Sequence, residues 1–272
     1  MSRLLRRFAR AQAQGRTAFM PFALAGFPSP GRDLAVLRAL ESAGADLVEL
    51  GLPWPHMPQD GPAIRRAAAQ ALRAGTHPLR ILHSLARKPL HKPLVLMTYW
   101  QALRHTGPAR LARAAARAGV AAILVPDLPP LQARPWRRIL REHGLEPVFL
   151  ARLDTPAVWL AHLEAGSGGF LYLALGATTG GRLHLDGSTR RTLHRLRRSS
   201  PLPLAVGFGV SRPGQARRLA GLAAGVVVGS ALVRALEAAP DFTRGLESMT
   251  ELALGLAAAL GAAEGASTIH IP

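Results

Sequence analysis

Short apolar runs recur along the chain, and each is followed by a longer segment in which leucine or alanine returns every third or fourth residue. Short apolar runs are typical of buried strands, and the longer period is typical of the amphipathic helices that cover them. Strands that alternate with helices in this way predict βαβ units and a parallel sheet. Eight strands are predicted, at residues 18–25, 46–50, 93–98, 121–125, 146–150, 169–174, 202–206 and 223–228.

Most of the helical segments between the strands carry arginine on the face opposite to the leucine and alanine stripe. Gly144 and Gly166 stand where two helices should end, and Thr155 and Ser211 stand where two should begin. Eight strands in a chain of 272 residues predict one domain, residues 1–272, folded as a (β/α)8 barrel with an extra N-terminal helix. An open doubly wound sheet is the alternative, because periodicity does not reveal closure. The predicted helices are 31–43, 108–118, 131–143, 155–165, 189–198 and 213–220.

The N-terminal stretch MSRLLRRFARAQAQGR is rich in arginine, as transit peptides are, but it lacks the apolar core and cleavage site of a secretory signal. We interpret it as a short amphipathic helix that precedes the fold. No uncharged stretch reaches the ~18 apolar residues of a membrane-spanning helix, and the one at residues 219–233 is interrupted by glycines. The sequence therefore predicts a soluble chain with no membrane partner.

The chain is strongly basic, with a formal net charge of +18 and an isoelectric point near 11.8. Such a charge suggests a nucleic-acid partner. The arginines are nevertheless spread over most of the predicted helices, and aromatic residues, which stack on bases, make up only 5% of the chain. We therefore expect no nucleic-acid binding, and a solvated basic surface that attracts anionic substrates. The absence of cysteine excludes disulfides and thiolate chemistry, and it fits a reducing cytoplasm.

Two acids, Glu49 and Asp60, occur in the stretch VELGLPWPHMPQDGP, at the end of the second predicted strand and in the loop after it. In a (β/α)8 barrel the active site lies at the C-terminal ends of the strands. A carboxyl such as Glu49 that faces an apolar barrel mouth has a raised pKa, as a general acid needs. An ion pair with an arginine at the rim is the alternative for Glu49. For Asp60 the alternative is an N-cap of the helix that begins at Pro62.

Three further strand exits are rich in glycine. Residues 207–211 read GFGVS after the seventh predicted strand, and residues 225–231 read GVVVGSA across the eighth. Loops at these two places, followed by a short helix, form the recurrent phosphate site of barrels, although such glycines also serve tight turns. The long loop at residues 175–188 suits a lid that covers bound substrate, or a simple connector.

Other chemistries lack a motif in this sequence. The ten histidines show no spacing typical of metal ligands, so no metal site is predicted. A nucleophilic serine elbow and a dinucleotide fingerprint are also missing from the chain.

Several phrases together resemble the tryptophan synthase α subunit family. In the family's order and spacing, the chain contains AGADLVELGLP, DGP, LMTY, VPDLP, GFGVS and VVGSALV, and the correspondence runs over nearly the whole length. The most specific element is the joint occurrence of Glu49, the DGP triplet at residues 60–62 and GFGVS. The resemblance implies a (β/α)8 barrel that cleaves indole-3-glycerol phosphate to indole and glyceraldehyde 3-phosphate in tryptophan biosynthesis, by a retro-aldol reaction.

The resemblance also implies site roles, a partner and a location. Glu49 would protonate the indole ring at the carbon being cleaved, Asp60 would stabilise the positive charge at the ring nitrogen, and Tyr172 would lie beside them. No cofactor is expected in this chain, since pyridoxal phosphate belongs to the β subunit that joins it in a cytoplasmic α2β2 assembly. Contacts with the indole are implied for Phe22, Met97, Tyr99, Leu124, Leu150 and Phe208. Contacts with the phosphate are implied for Gly180 or Gly181, Gly209, Gly229 and Ser230.

Three segments depart from the family pattern. Where the family usually reads Phe-Ser-Asp-Pro-Leu-Ala, residues 54–59 read WPHMPQ, so that His56 replaces an acid that serves communication with the β subunit. Residues 130–132 lack the acids expected after VPDLP, and residues 177–180 read ATTG instead of GVTG. Two alternatives follow, a paralogue that binds ligand or partner without turnover and a lyase that releases indole without coupling to a partner.

Overall fold

The computed structural model describes residues 1–176, 178–181 and 185–261. Its strands form one sheet, and every strand pair is parallel. The strands are Ala18–Leu24 (β1), Val48–Gly51 (β2), Leu94–Met97 (β3), Val120–Leu124 (β4), Glu146–Val148 (β5), Leu150–Arg152 (β6), Leu171–Ala174 (β7), Leu204–Gly207 (β8) and Gly225–Val228 (β9).

The sheet closes into a barrel. Its strand order is β5-β4-β3-β2-β1-β9-β8-β7-β6, so the first and last strands of the chain are neighbours. The two edge strands, β5 and β6, are consecutive and are separated only by Phe149. The Gly168 amide donates to the Pro147 carbonyl at 2.6 Å, which ties β5 to the chain leading into β7. The (β/α)8 barrel is therefore confirmed, and the open sheet is excluded.

The predicted strand 146–150 differs from the structure, because it is interrupted at Phe149. The Phe149 amide donates to the Ser167 hydroxyl at 3.1 Å instead of to a neighbouring strand. Its carbonyl still accepts from the Tyr172 amide at 3.1 Å. One barrel position is thus occupied by two short strands, and within the described residues the sheet contains nine strands instead of the predicted eight.

Helices cover the barrel, and all six predicted helical segments coincide with helices whose ends differ by at most two residues. The segment predicted at 131–143 opens with a 3-10 turn, Pro130–Gln132. The helices are Arg3–Ala13 (α1), Asp33–Ser42 (α2), Pro62–Arg73 (α3), Pro78–Arg87 (α4), Trp100–Thr106 (α5), Pro108–Arg117 (α6), Ala133–Glu142 (α7), Ala157–Gly166 (α8), Gly187–Ser199 (α9), Pro213–Leu219 (α10), Ser230–Glu237 (α11) and Phe242–Gly261 (α12).

Helix α1 is the predicted extra N-terminal helix. Its apolar face buries Leu4, Phe8 and Ala11, while its arginines lie on the opposite face. The Phe8 ring lies 5.4 Å from the Phe170 ring, just before β7, and any side chain at Gly225, the first residue of β9, would meet Phe8 at 2.7 Å. The helix therefore packs at the ends where strands begin and leaves the opposite end of the barrel free for a site.

None of the helices within the described ranges is both long enough and apolar enough to cross a membrane. The assignment of residues 1–272 to one domain stays a prediction.

Candidate active site

Glu49 lies within β2, between Phe22 of β1 and Val95 of β3 in the sheet register. The residue is 3% exposed, and its Oε2 atom has no hydrogen-bond partner among the described residues. Burial, reinforced by the negative charge of Asp60, raises the pKa of Glu49 from 4.5 to about 8. The predicted alternative is not observed, because none of the ion pairs in the described part of the chain includes Glu49.

Asp60 points into the same cavity and does not cap helix α3. The N-cap of α3 is Gly61, and no side chain caps the helix. The Asp60 carboxylate instead accepts a hydrogen bond from the Tyr99 hydroxyl at 2.6 Å and one from the Thr179 hydroxyl at 3.3 Å. Burial raises the pKa of Asp60 to about 6, while the hydrogen bonds from Tyr99 and Thr179 and the charge of Arg65 hold it below that of Glu49.

The two buried carboxyls therefore differ in protonation. Between pH values of about 6 and about 8, Glu49 keeps its proton while Asp60 is ionised. Burial raises both pKa values, but hydrogen bonds from two hydroxyl groups and the charge of Arg65 lower that of Asp60, whereas the charge of Asp60 raises that of Glu49 further. One cavity thus presents a proton donor and a fixed anion, a combination that serves acid-base chemistry.

Thr179 connects the loop after β7 to the acid loop, residues 52–61 between β2 and α3. Its hydroxyl accepts from the Gly61 amide at 2.8 Å, and its amide donates to the Gln59 carbonyl at 3.0 Å. A side chain at residue 61 would lie 2.0 Å from the Thr179 carbonyl oxygen, so only glycine permits this contact. The predicted lid therefore reaches across to Asp60 at Thr179. Its residues 177 and 182–184, including Ala177 of the departing ATTG segment, lie outside the described residues.

Tyr172 projects from β7 into the cavity. It is buried and packs edge-on against Phe208, with 6.2 Å between the ring centroids. Burial raises the pKa of Tyr172, and the charges of Glu49 and Asp60 raise it further, so its hydroxyl stays protonated. A side chain at Gly207 would lie 2.3 Å from that hydroxyl, so the glycine that ends β8 provides the space for the tyrosine.

The cavity contains about 700 Å³ of space, including its mouth, which opens to solvent. Five of the six residues predicted to contact an indole line it. Tyr99 does not, since it is fully buried behind the wall and touches the site through Asp60. We therefore correct its expected position from substrate contact to support of Asp60. The apolar lining includes Phe22, Met97, Leu124, Leu150 and Phe208.

All five residues predicted to hold a phosphate line the other end of the cavity: Gly180, Gly181, Gly209, Gly229 and Ser230. Helix α11 begins at Ser230, directly after Gly229, so its free amide groups face the cavity. The Ser230 hydroxyl is buried and has no hydrogen-bond partner within the described residues. These features form an anion site, as helix N-termini with unpaired donors do.

Two site residues were not assigned roles from the sequence. Thr179 holds Asp60, and Arg234 lines the cavity beside Ser230. The signal for Arg234 was its spacing, because residues four apart on a helix share a face, and Arg234 follows Ser230 by one turn of α11. The contact of Thr179 with Asp60 had no local signal, since 119 residues separate the two.

Of the departing segments at residues 54–59 and 130–132, only the end of the first, Gln59, lines the cavity. Gln59 Nε2 donates to the Pro126 carbonyl at 3.2 Å, and the Trp54 ring lies 5.6 Å from the His105 ring. Burial raises the pKa of Asp127, whereas the nearby charge of His56 acts to lower it. His56 and Leu131 are both exposed. In the described part of the chain, no group of three histidine, aspartate or glutamate side chains could hold a metal ion.

Comparison with known proteins gives a consistent result. The family model described as tryptophan synthase alpha chain matches residues 8–260. The tryptophan synthase alpha chain of Roseiflexus sp. (strain RS-1) is 38% identical over 259 residues, which cover 90% of this chain and 99% of that protein. The tryptophan synthase alpha chain of Prochlorococcus marinus (strain MIT 9313) is 41% identical and covers 86% of both chains.

Solved structures show the same fold. A chain in the structure of Mycobacterium tuberculosis tryptophan synthase superposes with a TM-score of 0.87 at 33% identity, covering 95% of this chain and 98% of that one. The tryptophan synthase alpha chain from Legionella pneumophila gives a TM-score of 0.85 at 29% identity and covers 96% and 97% of the two chains.

Proposed function

The chain belongs to the tryptophan synthase alpha chain family, a family of carbon-carbon lyases that cleave indole-3-glycerol phosphate, and from this premise we propose how its own residues carry out the cleavage. The observation that carries the proposal is the pair of buried carboxyls with separated pKa values, Glu49 at about 8 and Asp60 at about 6, in one apolar cavity. The cavity ends in an anion site, which suits a substrate with an aromatic head and a phosphate tail.

Glu49 starts the reaction by giving its proton to the indole carbon that bears the glycerol chain. The ring then carries a positive charge that is shared with its nitrogen. The bond between the ring carbon and the chain breaks, its electron pair returns to the ring, and the adjacent hydroxyl becomes the aldehyde of glyceraldehyde 3-phosphate. The hydroxyl proton returns to the Glu49 carboxylate, so that the acid is restored and atoms balance.

Asp60 accepts a hydrogen bond from the indole N–H and stabilises the positive charge as it develops. Such stabilisation requires an ionised carboxylate whose position is fixed before the reaction. The hydroxyls of Tyr99 and Thr179 donate hydrogen bonds to the carboxylate, which fixes its position and favours its charged form. Tyr172, a protonated hydroxyl near both acids, orients the substrate, and the apolar wall holds the indole ring.

We propose that this chain needs no cofactor of its own. Protonation makes the indole ring an electron sink, which is what the cleavage of a carbon-carbon bond requires, and Glu49 supplies the proton. The phosphate is held by backbone amides at Gly180 or Gly181, Gly209 and Gly229 and by the Ser230 hydroxyl.

We further propose a tryptophan synthase β subunit as the partner, in a cytoplasmic α2β2 assembly whose pyridoxal phosphate belongs to the β subunit. The family and the likeness to a chain of Mycobacterium tuberculosis tryptophan synthase support this proposal. The two departing segments, with exposed His56 and Leu131, are the candidates for altered contact with that partner.

One assay tests the function: indole release from indole-3-glycerol phosphate by the purified chain, alone and with a β subunit. Activity that rises on mixing is expected. Activity that is indifferent to the β subunit would indicate an uncoupled lyase, and no activity in either condition would contradict the proposed function.

A further inference from the structure

The backbone amides of the anion site carry only partial positive charges. Amide groups and a helix N-terminus together act as a partial charge of about half a unit. A phosphate monoester, by contrast, carries between about 1.5 and 2 negative charges at neutral pH. A cationic side chain at this end of the cavity would supply the missing charge.

Arg234 is placed to do so. It lies four residues after Ser230 on α11, and both residues line the cavity. A β-carbon at Gly180 would lie 3.2 Å from the Ser230 hydroxyl oxygen and 3.6 Å from Arg234 Nη1, so the hydroxyl, the guanidinium and the glycine of the crossing loop converge on one place.

The guanidinium of Arg234 is also without an acidic partner in the described part of the chain. The acid three residues further along α11, Glu237, is engaged by Arg66 at 3.0 Å and 3.4 Å. The Arg234 side chain is exposed at the cavity mouth and forms none of the ion pairs found among the described residues. Arg66 thus neutralises the acid that would otherwise compete for Arg234.

We propose that Arg234 binds the phosphate of the substrate from the solvent side and selects a doubly charged tail. The guanidinium fork matches two phosphate oxygens, whereas Ser230 and the amides contact the phosphate from within the barrel. Arg234 is a binding residue in this role and takes no part in proton transfer. The inference rests on the proposed function, because it assigns the phosphate of that substrate to this end of the cavity.

The test compares Arg234→Gln with Arg138→Gln, which removes the same charge from an arginine on α7 whose side chain is 80% exposed. Calorimetry with inorganic phosphate measures the site without turnover. For Arg234→Gln we expect the dissociation constant of phosphate and the KM of indole-3-glycerol phosphate to rise about tenfold, with kcat within about twofold of the wild type. Arg234→Lys keeps the charge but loses the planar fork of donors, and we expect it to raise the dissociation constant of phosphate about threefold.

Dephosphorylated indole-3-glycerol separates binding of the tail from general damage. Its kcat/KM should be the same in the wild type and in Arg234→Gln, and a loss with this substrate would overturn the proposal. Unchanged phosphate binding in Arg234→Gln, or equal weakening in Arg138→Gln, would also overturn it. If phosphate binding depends on Arg234 but the wild type releases no indole, the proposed function fails while the anion site stands.

Discussion

The two ends of the cavity are formed by different kinds of groups. The acid wall is formed by Glu49, Asp60 and Thr179, with Tyr99 behind it, and burial and hydrogen bonds set the ionisation of its two carboxyl groups. The anion wall, formed by Gly180, Gly209, Gly229 and Ser230, consists mostly of backbone beside a helix N-terminus. A substitution in the acid wall changes chemical reactivity directly, whereas one in the anion wall acts through space and backbone shape.

This difference predicts a separation of kinetic effects. Changes in the acid wall should lower kcat, because proton transfer and charge stabilisation occur only in the reaction. Changes in the anion wall should raise KM, because the phosphate is remote from the bond that breaks.

Replacement of Glu49 by glutamine removes the proton donor and keeps the shape of the side chain. We expect kcat to fall by about 10³-fold, while the dissociation constant of inorganic phosphate stays that of the wild type. Steady-state kinetics and calorimetry on the same preparation measure both quantities. A variant with near-normal kcat would refute the role of Glu49.

The same variant should be more stable than the wild type at high pH. The pKa of Glu49 is raised from 4.5 to about 8, so the folded state binds the extra proton and its free energy of unfolding falls as pH rises between these values. Glutamine removes this loss, on the order of 4 kcal/mol at pH 8. Denaturant unfolding at pH 4.5 and pH 8 should show a stability gain only at the higher pH, and a gain independent of pH would contradict the assignment.

Gly180→Ala tests the anion wall against a matched control. Gly180 has φ of +79° and a new methyl group would press on Ser230, whereas Gly221 has φ of +75° and no atom within 4 Å of such a group. Both variants bear a similar backbone strain of about 1–2 kcal/mol. We expect Gly180→Ala to raise KM about tenfold with little change in kcat, and Gly221→Ala to leave both constants unaltered. Equal effects in the two variants would assign the loss to strain alone.

Tyr99→Phe tests how the acid wall keeps Asp60 charged. In the wild type, kcat/KM should be highest between pH values of about 6 and about 8, since it falls when Asp60 gains a proton or Glu49 loses one. Loss of the hydrogen bond from Tyr99 should raise the pKa of Asp60 and move the acidic limb of the kcat/KM profile to a higher pH by about one unit. An acidic limb at the same pH in both proteins would argue against this support.

The smallest effect is expected outside the cavity. His56→Asp restores the acid that the family usually has in this loop, and the increase in indole release on addition of a β subunit should grow about twofold. His83→Asp, a change of the same charge at an exposed position on α4, serves as the control. An equal increase in indole release in the two variants would show that residue 56 takes no part in communication with the β subunit.

Strand positions and helix stripes were predictable from the sequence because both follow local periodicity. Every predicted strand coincides with a strand of the barrel, and Glu49 faces the interior as strand alternation and its place near the strand end suggested. The break at Phe149 was not predictable, since it depends on a hydrogen bond to Ser167 across helix α8.

The candidate site was predictable to a similar degree. Residues at strand exits reached the cavity as the barrel rule requires. Tyr99 was misplaced because a residue next to a strand end faces either the cavity or the layer behind it, and the sequence does not distinguish these. The contact of Thr179 with Asp60 joins two distant loops, which only the folded chain reveals, whereas Arg234 had a local signal in its spacing of one helical turn after Ser230.

Gly61 is the position at which the loop after β7 comes closest to the acid loop. Its missing side chain lets the strand-exit loop of β7 approach until Thr179 hydrogen-bonds to both sides of the acid loop. The hydrogen bond from Thr179 to Asp60 therefore depends on a residue that has no chemistry of its own. Any larger residue at this single position would displace Thr179, and it would thereby disturb both the carboxylate that Thr179 supports and the neighbouring Gly180 that faces the phosphorylated tail.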